Sequence, residues 1–314
     1  MNNHLTLTSL NVQGLGRDII GVRKRREIRD FFQKSQPKPE IILVQEHKLS
    51  LEEGKRHTKQ IEFARGVSLW NEATYCADKD SFKGGTGILL PEKIASLICE
   101  HGVIMKGRVQ YVTLQWTPFL IIGIINIYAF NCTGSRSRLW TKIRHYPLPE
   151  AHWILGGDFN MIDQLDDKQG GQDTIGRGQR EQVAWGDLQV HLGLQDSFRA
   201  DEFRKLSTKK FSWDNRRYAP GMICSRLDRF YLNHTLIQLG GQTSIWPSLT
   251  HVSDHAPVVL KIHQQHFRTQ NPPAFNRHLL DDENEKTLLL AEWTRAMALN
   301  SDKNWIRAYV CTYV

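Results

Sequence analysis

The chain has 314 residues, 40% of them hydrophobic, with 41 Lys and Arg against 33 Asp and Glu for a formal net charge of +8. That composition supports a packed core, and the cationic surplus favours a polyanionic partner without identifying one. The five cysteines (Cys76, Cys99, Cys132, Cys224, Cys311) form no Cys-x-x-Cys pair and are odd in number, which argues against a disulfide scaffold or zinc knuckle and for a reducing compartment.

The chain opens with no charged n-region and apolar h-region, so no signal peptide is expected. The longest apolar run, Phe119 to Phe130, is interrupted by Gly123 and Asn126, and a bilayer takes about 20 apolar residues. No membrane partner is expected, and a nuclear or cytoplasmic location is the expectation.

Residues 5–10 alternate apolar and polar, the pattern of a half-buried strand, and Asn11 stands at its end. Residues 22–35 place Ile28, Phe31 and Phe32 at helical spacing. Arg23, Lys24, Arg25, Arg26 and Arg29 are then expected on a solvated face. Pro37 and Pro39 close this helix, and Glu40 to Val44 reads as a buried strand ending at Gln45-Glu46-His47-Lys48. A helix over 51–64 and a strand over 67–70 follow. Lys83 to Leu90 is a glycine-rich entry to a strand; it is not a phosphate cradle, because no Lys-Ser or Lys-Thr follows.

Further strands are expected at 94–99, 109–116 and 119–128, with a helix at 135–145. Trp153-Ile154-Leu155 then reads as the end of a buried strand, after which Gly156 and Gly157 let the backbone turn and deliver Asp158 and Asn160 together. A bland alternative is a turn that caps its own backbone. Residues 163–178, with Asp166, Asp167, Lys168, Gly170 and Gly171, are expected as an exposed loop. A helix at 179–192, strands at 211–213 and 225–232, and a last strand at 256–262 complete the core. Trp213 is expected as a core aromatic. Residues 264–273 read as a linker, and 279–299 favour helix.

Polar residues now fall repeatedly at strand ends: Asn11, Glu46, Tyr128, Asp158 with Asn160, Asp228, and Asp254 with His255. Glu46, Asp254 and Asn11 offer hard oxygen ligands suited to Mg²⁺. His255 with Asp228 supplies an acid/base pair, and Asp158 can activate a water. The inventory suits phosphodiester hydrolysis.

The ordered set Ser-Leu-Asn11, Val-Gln-Glu46-His-Lys, Asn-Ile-Tyr128, Gly-Gly-Asp158-Phe-Asn160, Ser-Arg-Leu-Asp228-Arg and Ser-Asp254-His255-Ala-Pro-Val resembles the endonuclease/exonuclease/phosphatase superfamily over residues 5–262. The resemblance implies a DNase I-like α/β fold, a four-layer sandwich of two packed mixed sheets flanked by helices. It also implies that Glu46 binds the metal with Asn11 and Asp254 close by, and that Asp158 orients the attacking water. Asn160 and Tyr128 would position the phosphate, and Asp228 would orient His255 against it. The metal would be Mg²⁺, with Mn²⁺ an alternative.

Within the superfamily, Gly156 to Met161 followed by Asp166-Asp167-Lys168-Gln169-Gly170-Gly171, the run Phe211-Ser212-Trp213-Asp214-Asn215, and Phe275 to Leu280 resemble endonuclease domains of LINE-type (non-LTR) retrotransposons. That likeness implies a DNA endonuclease nicking one strand over residues 1–263. Residues 264–314 would begin a connector toward a reverse transcriptase in a longer polyprotein. Gln13 stands where base-excision repair relatives usually carry an aspartate, which argues against abasic-site repair. The competing expectations are a phosphomonoesterase built on the same core and an inactive nucleic-acid-binding remnant.

Overall fold

A computed structural model describes residues 4–263 apart from 17–18, 37, 62–65, 119, 172–177, 207–208, 219 and 250, and beyond these Thr287 alone. The strands and helices between His4 and His263 lie within one unit, Met1–Gln264. The expected linker, the C-terminal helix, the Phe275 to Leu280 connector and Cys311 lie outside the described residues.

Two mixed sheets carry the core. The first has seven strands, in the order Phe203–Lys205, Gly241–Ile245, Val258–His263, His4–Asn11, Ile41–Gln45, Thr86–Pro91 and Gly66–Asn71. The second has six, in the order Leu194–Asp196, Asp228–Asn233, His152–Asp158, Leu120–Tyr128, Val109–Thr117 and Ile98–Met105. Leu5, Leu7, Leu43 and Ile88 from one sheet meet Ile124, Ile154 and Phe230 from the other in the central layer. Helices Thr133–His145 and Gln179–Leu192 cover the outer face of the second sheet through Trp140, Ile143, Trp185 and Leu188. Helix Ile19–Lys34 covers the outer face of the first through Ile28 and Phe32. This is the four-layer DNase I-like sandwich, because each sheet has two apolar faces and neither can be left wet.

Several elements differ from the sequence expectation. The strand His4–Asn11 is buried on both faces, not one: Thr6 and Thr8 are fully covered by the helix layer. Residues 94–99 were expected as a strand, but Glu92–Ala95 is a helical turn started by Pro91, and the strand runs Ile98–Met105. Its face is mostly exposed, so it carries little apolar signal. Cys224–Ser225 and Asp228–Asn233 are two strands in different sheets, where 225–232 was expected as one.

The expectation of a turn at Gly156-Gly157 is also corrected, because both glycines lie inside the strand His152–Asp158. A Cβ at Gly156 would come within 2.7 Å of Leu43 Cδ1 from the opposite sheet. Gly157 has φ +140, and a Cβ there would come within 2.0 Å of the Ile127 carbonyl oxygen. The glycines therefore serve close sheet packing, and the turn follows at Asp158-Phe159-Asn160, where Asn160 has φ +48.

Candidate active site

Register explains why the strand-end residues meet. Asp158 pairs with Tyr128 on its parallel neighbour and with Asp228 on its antiparallel neighbour, so three polar side chains line one edge of the second sheet. Asn11 pairs with Gln45 at the matching edge of the first sheet, which puts Glu46 just beyond it. The two edges are joined by buried amides. Gln45 Nε2 donates to Asn126 Oδ1 at 2.7 Å, and Asn126 Nδ2 donates to the carbonyls of Val44 and Gly87 at 3.0 and 2.8 Å. Each amide sits within two residues of a site residue, Glu46 or Tyr128.

Two carboxylates directly opposite on neighbouring strands repel, and the surroundings of Asp158 and Asp228 answer that repulsion. Asn11 Nδ2 donates to Asp158 Oδ2 at 2.9 Å and to Glu46 Oε2 at 3.2 Å. Asn160 donates its backbone N–H to Asp158 Oδ1 at 2.9 Å and its Nδ2 to Asp158 Oδ2 at 3.2 Å. The backbone-capping turn and the donor pair are thus the same structure.

His255 Nδ1 stands 2.7 Å from Asp228 Oδ2, and its Nε2 lies 3.9 Å from both Asp158 Oδ2 and Asp254 Oδ1. Burial opposes a charged imidazole, but Asp228 and then Asp158 outweigh it and raise His255 to about 10. Burial is also the main influence on Asp158. With the added repulsion of Asp228 it outweighs the opposing His255 and Asn11, and the carboxyl is pushed up to about 7. The site is therefore an imidazolium among acids that are short of counter-charge.

Asp254 sits differently from the sequence reading of its neighbour. Trp213, expected as a core aromatic, donates its indole N–H to Asp254 Oδ2 at 3.0 Å. Trp213 also forms an isolated bridge with His255, which ties the two segments together. Asp254 Oδ1 and Asp228 Oδ1 are buried with no hydrogen-bond partner among the described residues. Ser212 Oγ accepts from the backbone N–H of Asp228 at 2.9 Å.

The glutamate side opens onto a groove of about 560 Å³ whose lining includes Glu46, Lys48, Lys83, Arg108, Tyr128 and Asn131. Lys48 Nζ pairs with Glu46 Oε1 at 2.9 Å. The Arg108 guanidinium lies over the rings of Tyr128 and Phe130, 4.6 and 4.2 Å from their centroids. Burial, then Glu46 and Asp158, hold the Tyr128 hydroxyl far above its ordinary range, so it stays a neutral donor.

Backbone strain gathers here as well. Of six non-glycine residues with positive φ among the described residues, Gln13, Glu46, Lys48 and Asn160 belong to the site and its rim. Each such conformation costs on the order of 1–3 kcal/mol and persists where the surroundings impose it.

Sequence reasoning missed Arg108, Asn131, Lys48, Gln45 and Trp213. Lys24 was expected on a solvated face, but it is half-buried, and its Nζ donates to the Gln13 carbonyl at 3.3 Å. Burial and then Lys48 lower its amine to about 8, against the pull of Glu46 and Asp254. Asp167, expected in an exposed loop, is fully buried. Arg226 and Arg229 hold it there, as described below. Among the described residues no helix is long and apolar enough to cross a membrane, and Cys76, Cys99, Cys132 and Cys224 are free thiols.

Solved structures share this fold at low identity. An AP endonuclease from Leishmania major superposes with TM-score 0.64 at 18% identity, covering 83% of this chain and 88% of that one. A 3' phosphatase from Neisseria bound to a product DNA hairpin gives 0.59 at 16%, covering 82% and 99%. The endonuclease domain of TRAS1, a telomere-specific non-LTR retrotransposon, gives 0.51 at 17%, covering 83% and 99%. The model of the Endonuclease/Exonuclease/phosphatase family matches residues 8–255. With strands, register and polar edge all in place over that span, the chain belongs to the endonuclease/exonuclease/phosphatase family.

Proposed function

We propose that the protein is a divalent-metal-dependent DNA endonuclease that nicks one strand, of the kind that opens a target site for retrotransposition. The observation that carries the reading is the convergence of Asp158, Asp228 and His255, whose ligand atoms lie within 4.8 Å of one another, beside a groove lined by Lys48, Lys83 and Arg108. An acidic centre flanked by cations suits a phosphodiester: cations hold the backbone, while acids and an imidazolium handle the proton and the charge at phosphorus.

The donor set fits a hard cation. Trp213 occupies one oxygen of Asp254 and leaves Oδ1 buried without a hydrogen-bond partner among the described residues, and Glu46 presents its carboxylate at the groove. Glu46 and Asp254 would hold Mg²⁺ or Mn²⁺. When bound, the ion supplies charge stabilisation at the phosphate oxygens. Asn11 has a different part from the expected third ligand. Its oxygen accepts from the Gln13 N–H at 2.9 Å while its nitrogen faces the acids, so it spaces Glu46 from Asp158. The cluster of Asp158, Asp228 and His255 already contains a positive imidazolium and is better suited to proton handling than to a metal.

In this reading Asp158 accepts hydrogen bonds from Asn11 and Asn160 and orients the attacking water, and its raised pKa makes it a competent base near neutrality. Asn131 and the neutral Tyr128 hydroxyl donate to the phosphate, and Asn160, whose Nδ2 also donates to the Ala129 carbonyl at 3.0 Å, holds Asp158 toward it. His255, held by Asp228, faces the phosphate with Nε2.

Nicking of supercoiled plasmid tests the reading, run beside cleavage of an abasic duplex and phosphate release from a soluble inositol phosphate, each with and without Mg²⁺. Mg²⁺-dependent conversion to open circles is expected, with Glu46→Ala abolishing it in a folded protein. Faster release from inositol phosphate identifies a phosphomonoesterase, preference for the abasic duplex a repair enzyme, and DNA binding without turnover an inactive remnant. Any of these outcomes overturns the proposal.

A further inference from the structure

The segment 161–167, which leaves Asp158 and Asn160, returns to the two arginines that bracket Asp228. Asp167 is the point of return. Its Oδ1 accepts from Arg226 Nε at 2.8 Å and Arg199 Nη2 at 2.6 Å. Its Oδ2 accepts from Arg229 Nη2 at 3.1 Å and from the N–H groups of Asp163 and Gln164 at 3.0 and 3.1 Å. Its carbonyl accepts from the Arg226 N–H at 2.8 Å. Arg229 Nη1 donates to the carbonyl of Met161 at 2.9 Å, and Phe159 N donates to the Leu227 carbonyl at 3.0 Å. Asp196 takes the other side of Arg226 at 2.6 Å. The exposures of Asp167, Arg226 and Arg229 are 0%, 1% and 1%.

We propose that Asp167 is a positioning residue, one that acts beyond the strand pairing of Asp158 with Asp228 to hold the two side chains in place and with them His255. The carboxylate closes a ring that runs from Asp158 through Met161 to Arg229, across Asp167 to Arg226, and back to Asp228. Both members of the acidic pair thereby hang from one anion that touches neither of them. A guanidinium accepts a carboxylate in a fixed, directional geometry, so the ring transmits position as well as charge. Misplacing reacting groups by about 1 Å costs about 10²-fold in rate. The rate effect rests on the nuclease reading above; the positional effect does not.

A purely structural ion pair would lower stability alone, and Asp196 serves as the comparison. It shares Arg226 with Asp167, is also buried, and has no ion pair with Arg229 among the described residues. Asp167→Asn and Asp196→Asn are to be made in the full chain and studied well below both melting temperatures. Two quantities are read: kcat against KM for plasmid nicking, and the downfield NMR resonance of the His255 Nδ1 proton in its bond to Asp228.

Asp167→Asn is expected to lower kcat by about 10²-fold with KM unchanged and to shift or broaden that resonance. Asp196→Asn is expected to leave both as in the wild type while lowering the melting temperature. If Asp167→Asn does not fold, Arg229→Lys breaks the same ring with the charge kept, and the same losses are expected of it. Wild-type kcat and resonance in a folded ring-breaking variant, or equal losses in Asp196→Asn, overturn the proposal. If the wild type nicks nothing, the nuclease reading fails, while the resonance still reports whether Asp167 places Asp228.

Discussion

Two buried clusters lie a few residues apart in this protein and use the same chemical groups to opposite ends. Around Asp167, acids and arginines are matched. Burial alone would raise its pKa, but Arg229 and Arg226 outweigh burial and hold the carboxyl well below the usual carboxylate range. Around Asp158 the acids outnumber the cations, and the carboxyl is pushed up to about 7. The first arrangement is electrostatically quiet. The second holds unfavourable charge in place, which is the condition in which an acid or a base near neutrality becomes useful. Both carboxylates are out of contact with solvent, at 0% and 1% exposure, and the opposite directions of their shifts come from their neighbours.

The largest expected way to sharpen this contrast is to remove the imidazole. His255→Ala should slow nicking by about 10²- to 10⁴-fold, and Asp228→Asn should fall within the same span. The double variant should be scarcely worse than His255→Ala, because the two act as one unit. Single-turnover rates and melting temperatures on the same preparations check this. A lowered melting temperature with normal turnover per folded molecule would make the pair a strand tie like the Asp167 cluster.

The smallest expected effect concerns the rim. Lys24→Met should weaken binding to duplex DNA and reduce the slope of log K against log salt by about 0.9, the share of one phosphate contact. Lys24→Arg should restore it. Equilibrium titrations at several salt concentrations measure the slope, and an unchanged slope in Lys24→Met would return Lys24 to the solvated face.

How much of this was legible in the sequence follows from where the information resides. Asn11, Glu46, Tyr128 and Asp158 end or follow an apolar run, while Asp228 and His255 stand just ahead of one, and a strand that stops or starts at a polar residue announces it locally. Asp167 announces nothing. Its chain neighbours Asp166 and Lys168 are partly or fully exposed, and the arginines that bury it come about 60 residues later (Arg226 and Arg229). Lys24 and its neighbour Arg25 fail for the same reason: Arg23 and Arg26 on either side are exposed, and only tertiary packing turns Lys24 toward Gln13 and buries Arg25 against the carbonyls of Leu15 and Gly16. The short strands Phe203–Lys205 and Gly241–Ile245 were missed because strands of three and five residues with few β-branched side chains carry little periodic signal. The Asn126 interruption of an apolar run was visible, but its partner Gln45 was not.

On the proposed reading Asp158 is held at a cost to stability that its role as a base requires, and linkage makes that cost measurable. Its folded pKa of about 7 lies above its ordinary value of 3.8, so between these values the folded state binds more protons than the unfolded state, and stability falls as pH rises. His255 acts in the same direction: its pKa is raised from 6.5 to about 10, and the stability it contributes is complete below about 6.5 and lost through about 10. Asp158→Asn removes the first effect. Melting temperature and Mg²⁺-dependent nicking should be measured together for the wild type and Asp158→Asn at pH 5 and pH 8. The variant should melt higher than the wild type at pH 8, by about 2–4 °C for each kcal/mol released, with a smaller gain at pH 5, and its nicking should fall by about 10²-fold or more. A variant that melts lower at pH 8 and still nicks at the wild-type rate would contradict the account.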